Sequence, residues 1–104
     1  MSNLLKVCNI SEIPVDTLLK KDIEGNSVIL IKKNDSIYAI ENKCSHMNYP
    51  LDDGELNQYE IECIHHGAKF DIRNGKPTSL PATENIKTYE VVIKKEEVFI
   101  YIDK

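Results

Sequence analysis

Apolar residues in this chain of 104 residues recur with a period of two or stand in short unbroken runs, the patterns of strands rather than of long helices. "NSVILIKKNDSIYAIEN" predicts a hairpin whose arms run from Val28 to Lys33 and from Ser36 to Glu41. Its turn falls at Asn34-Asp35, two residues that tolerate a left-handed backbone. "KTYEVVIKKEEVFIYID" predicts a second, closing hairpin around Lys95-Glu96. Between them, Phe70 and Ile72 lead into Asn74-Gly75, a strong turn signal. The first forty residues add strands around Leu4 to Cys8 and Thr17 to Ile23, with "SEIPVD" between them as a turn or short helical piece. The pattern is that of an all-β domain.

The segment from Asn42 to Arg73 interrupts this scaffold. It is rich in turn formers (Pro50, Asp52, Asp53, Gly54, Asn57) and poor in continuous apolar runs, so it reads as a loop-bearing insertion. One domain over 1–104 is expected, with a scaffold of about 1–41 and 74–104 and a functional subdomain of about 42–73. Loops held on a rigid β scaffold are where a site is expected.

Composition narrows the chemistry. Thirteen basic against seventeen acidic residues give a formal charge of −4, which disfavours nucleic acid and anionic membranes as partners. Residues 1–14 show neither a long apolar run nor a cleavage site, so a cytoplasmic protein is expected. Three cysteines in a reducing compartment argue for metal ligation by a pair, with Cys8 left over as a small buried hydrophobe.

The other two cysteines and all three histidines lie in two short knots, Cys44-x-His46 and Cys63-x-x-His66, separated by sixteen residues. Two sulfurs and two imidazoles complete a four-ligand set that suits zinc or an iron–sulfur cluster. Zinc fingers usually pair cysteines in one knuckle and histidines in the other. Here each loop supplies one of each, an arrangement that suits two metals side by side, the cysteines reaching an inner ion and the histidines an outer one. Cys63-Ile64-His65 repeats the spacing of the first knot, which leaves His65 as an alternative to His66.

These knots, with "HMNYPLDDGEL" after the first and "HHGAKFDIRNGKP" after the second, resemble the Rieske [2Fe–2S] proteins, in which two histidines replace two cysteines on one iron. "LPATENIKTYEVVIKKEEVFI" is similar to the family's ending, where a proline-bearing loop, here Leu80-Pro81-Ala82, closes over the cluster. The resemblance implies a Rieske-like antiparallel β-sandwich of small sheets, one cluster per chain, and Cys44, His46, Cys63 and His66 as its ligands, with His66 favoured over His65 by the family pattern and by Gly67 after it. The respiratory branch has a disulfide between the loops, at positions occupied here by Tyr49 and His65, and hydroxyl donors to cluster sulfur where this chain has Ala68 and Phe70. Both are excluded here. Losing those donors implies a potential near the bottom of the Rieske range, about −150 mV. Ile64 stands where the family often has proline. Met47, Tyr49, Pro50, Leu51 and Pro81 are candidates for shielding the cluster or for ordinary loop packing.

With no nucleotide loop, substrate signature or catalytic domain, the expected function is one-electron transfer by a soluble ferredoxin. The resemblance makes a flavin-dependent reductase the donor and an oxygenase or other redox enzyme the acceptor, with no small-molecule substrate. The alternatives are a small Rieske subunit of a larger oxidoreductase, such as a nitrite-reductase-like complex, and a structural zinc domain.

Overall fold

The computed structural model describes residues 2–33, 36–43, 51, 54–63, 67–79 and 84–103. Eleven strands are found among them: β1 (Ser2–Asn9), β2 (Leu19–Ile23), β3 (Asn26–Lys33), β4 (Ser36–Glu41), β5 (Glu55–Asn57), β6 (Glu60–Glu62), β7 (Lys69–Asp71), β8 (Pro77–Ser79), β9 (Thr88–Tyr89), β10 (Val91–Lys94) and β11 (Glu97–Asp103). They form three antiparallel sheets, in the orders β1-β11-β10, β2-β3-β4-β9 and β5-β6-β7-β8. A single turn of 3-10 helix, Ile10–Glu12, follows β1 where the sequence predicts a turn or helical piece.

β3 explains how three small sheets are held together. Its Val28, Leu30, Ile29 and Ile31 are all fully buried, because the strand has a core on each face. Val28 and Leu30 join Cys8, Ile13, Ala39, Val98, Ile100 and Ile102 in a cluster against the terminal sheet. Ile29 and Ile31, pointing the other way as strand alternation requires, join Ile40, Leu51, Ile61, Cys63, Ala68, Phe70, Ile72 and Ile86 against the third sheet. An unbroken apolar run is thus the signature of a strand buried on both faces.

Two features depart from the expected pattern. The closing hairpin is shorter than its alternation suggests: Thr88 and Tyr89 pair with Ile40 and Ala39 of β4, whereas Val91 to Lys94 pair with β11. The chain changes sheets at Glu90. Its turn does fall at Lys95-Glu96, both with left-handed φ of 49° and 66°. The segment expected as loops contains β5, β6 and β7, each three residues long, and β8 joins the same sheet from beyond residue 73. The Asn34-Asp35 turn lies outside the described residues.

At the edge of the cluster that joins the third sheet to β3 and β4, one aromatic ring adds further contacts. Tyr59, in the turn between β5 and β6, meets Tyr38 of β4 edge-on at 6.2 Å and 89°. The Arg73 guanidinium carbon lies 4.4 Å from the Tyr59 centroid and Lys33 Nζ lies 5.6 Å from it. Contacts of this kind contribute about 0.5–2 kcal/mol each.

Candidate metal centre

Each knot is closed at its neck by hydrogen bonds that the described residues show. Residues 44–50, including Cys44 and His46, lie outside those residues, as do Asp52 and Asp53. The flanks are nevertheless tied: Leu51 N–H donates to Asn42 Oδ1 at 2.6 Å. Asn42 is itself held to β3, its backbone N–H donating to Ser27 O at 2.9 Å and its Nδ2 to Ser27 Oγ at 3.1 Å. Gly54 N–H then donates to Leu51 O at 2.9 Å. A Cβ at Gly54 would collide with the Glu62 carbonyl oxygen, so the chain returning from the first knot runs against the strand that enters the second.

The second knot sits at the tip of the β6-β7 hairpin. Residues 64–66, including His65 and His66, lie outside the described residues. On either side of them, Gly67 N–H donates to Cys63 O at 2.9 Å and Cys63 N–H donates to Ala68 O at 2.7 Å. Gly67 takes φ of +71°, a left-handed conformation that a residue without Cβ adopts at little cost. The short strands on either side, Glu60–Glu62 and Lys69–Asp71, pair in register to carry this turn.

Cys63 is fully buried, and Leu51 and Ala68, from the necks of both knots, share its apolar cluster. A thiolate in such surroundings needs a cation to neutralise it, so the burial, the tight turn and the sulfur–imidazole donor set fit a metal cluster. Leu51 is fully buried packing. Met47, Tyr49, Pro50 and Pro81 lie outside the described residues. Ala68 and Phe70 are fully buried and bring no hydroxyl to this region.

The third cysteine is kept apart. Cys8 packs in the opposite cluster, and burial pushes its thiol pKa up, so it stays protonated at neutral pH. Glu60 and Glu62 are half-buried on the outward face of the third sheet. Asp71, on the same face, is held below the usual carboxylate range by hydrogen bonding from the Arg73 side chain. The sequence reading missed Asn42, which lies two residues before Cys44 in a run of ordinary turn formers. Only its sidedness, reaching from β3 to Leu51, marks it.

Among the described residues no helix is long and apolar enough to cross a membrane. The chain matches the Rieske [2Fe-2S] domain over residues 3–90 and belongs to that family. It is 39% identical over 89 residues to the ferredoxin component of the naphthalene 1,2-dioxygenase system of Pseudomonas aeruginosa, covering 86% of each chain. The ferredoxin of carbazole 1,9a-dioxygenase from Nocardioides aromaticivorans shares the fold with a TM-score of 0.89 and 33% identity, over 94% of this chain and 96% of that one. A chain in a complex of reduced oxygenase and oxidized ferredoxin in carbazole 1,9a-dioxygenase gives a TM-score of 0.87 at 33% identity, over 93% of this chain and 91% of that one. These relatives bear out the all-β fold, the family and the ferredoxin character expected from the sequence.

Proposed function

We propose that this protein is the ferredoxin component of a dioxygenase system, a cytoplasmic electron carrier and not a catalytic subunit, which receives one electron at a time from a flavin-dependent reductase and delivers it to an oxygenase. The observation that carries the reading is the buried Cys63 thiol at a hairpin tip drawn tight by Gly67 and Ala68, in a chain that matches Rieske ferredoxins over nearly its whole length. Cys44 and Cys63 would hold the inner iron, and His46 and His66 the outer one. Residues 42–73 would form the cluster-binding subdomain. A bound Rieske cluster supplies a one-electron couple that is neutral when oxidised and carries one negative charge when reduced.

The chain's own residues set the conditions for that couple. Leu51, Ile61, Ala68 and Phe70 exclude water from the cysteine side, which leaves the histidine side as the face for a partner. The side chains of Ala68 and Phe70 carry no hydroxyl that could donate to sulfur, which supports a midpoint of about −150 mV. The purified protein should be red-brown, hold two irons and two labile sulfides, and take up one electron. Replacing His66 with Ala should abolish the reduced-state EPR signal, while His65→Ala should keep it. Iron without labile sulfide would refute the cluster, and an intact signal in His66→Ala would refute the ligand assignment.

A further inference from the structure

The hairpin that carries the second ligand turn is short, with only Glu60–Glu62 facing Lys69–Asp71. Its flanking strands β5 and β8 are equally short, so pairing alone gives the tip little rigidity. At its root, Ile72 N–H donates to Tyr59 O at 2.8 Å, and the Tyr59 ring stands among groups from three other parts of the chain. Arg73 lies over it at 4.4 Å. The guanidinium is locked in place by Asp71, with Nε to Oδ1 at 3.0 Å and Nη2 to Oδ2 at 2.8 Å. Lys33 at the end of β3 approaches at 5.6 Å and is paired with Asp16 at 2.9 Å. Tyr38 of β4 meets the ring edge-on.

We infer that Tyr59 is a positioning residue for the cluster site: its ring pins the root of the ligand-bearing hairpin to β3 and β4, and so holds Cys63 and Gly67, which are hydrogen-bonded to each other, in place at the other end of the hairpin. The inference rests on the proposed ligand role of Cys63 and His66. Tyr59 lies four residues from Cys63, about 13 Å along a strand, too far to touch a ligand. Each cation near it already faces a carboxylate. Its effect on the tip is therefore mechanical and not a change of field. Arg73 is the chain's only arginine, and its planar fork binds Asp71 through two hydrogen bonds while lying over the ring, a bidentate geometry that a lysine does not offer.

The test uses the holoprotein with Tyr59→Phe, Tyr59→Leu and Arg73→Gln, followed by hydrogen exchange of peptides 60–72 and 97–103 and by EPR of the dithionite-reduced state. Tyr59→Leu should speed exchange in 60–72 by about tenfold with 97–103 unchanged, and should broaden the EPR line. Tyr59→Phe, which keeps the ring, should match the parent, and Arg73→Gln should fall between. Unchanged exchange in 60–72, or equal acceleration in both peptides, would overturn the inference, and Arg73→Gln decides the matter should Tyr59→Leu fail to fold. Iron and sulfide analysis of the parent reports separately on the proposed function, so a failure there is distinguishable from a failure of the clamp.

Discussion

Asn42 shows how one amide can tie together the two flanks of a segment proposed to hold ligands. It accepts from the fully buried Leu51 on one side of residues 44–50 and is tied to Ser27 of β3 on the other. Asn42→Ala leaves the Leu51 N–H without its acceptor, a loss of about 1–3 kcal/mol. The expected result is a lower urea midpoint and faster iron release to a chelator, with Asn42→Asp, which keeps the acceptor, intermediate. An alanine variant that releases iron at the parent rate would remove Asn42 from this role. Cys63 was conspicuous in the sequence as a candidate ligand, because its chemistry and spacing are rare. Asn42 was not, since asparagine before a turn has many local uses and only a long-range partner reveals this one.

At the scale of the strand, β3 makes a sharper distinction between neighbours. Ile29 and Leu30 are adjacent, equally buried and similar in volume, yet they face different cores. Truncating either to Ala should cost about 2–5 kcal/mol. Only Ile29→Ala opens space in the cluster that contains Cys63, so it alone should hasten iron release, when both variants are compared at matched distance from their denaturation midpoints. Equal release rates would mean that the two cores are not mechanically separate. The apolar run of β3 was plain in the sequence and fits burial on both faces, but which strands cover each face was not. The short strands β5, β6 and β7 were hidden for a related reason. Three residues carry too little alternation to stand out from turn formers, and they pair because the sheet and the apolar cluster beneath them favour it. The sheet change at Glu90 was equally invisible, because Thr88 to Lys94 runs on in strand formers with no glycine, proline or turn residue to mark it, while its partners switch from β4 to β11.

Across the whole molecule the two cores predict an uneven response to loss of the metal. The cluster of Ile61, Phe70 and Ile72 contains Cys63, a proposed ligand, whereas the cluster of Val98, Ile100 and Ile102 closes without any proposed ligand. Metal binding free energy is folding free energy for the part of the chain that holds the ligands. A protein stripped of iron should therefore lose hydrogen-exchange protection in 60–72 first, while 97–103, paired with both β1 and β10, stays protected and β3, which serves both cores, falls between them. Local opening of this kind is the ordinary behaviour of a structure whose stability is unevenly distributed. Uniform loss of protection over all three segments would show instead that β3 couples the cores into one cooperative unit, and that the ligand-bearing sheet cannot open without unfolding its scaffold.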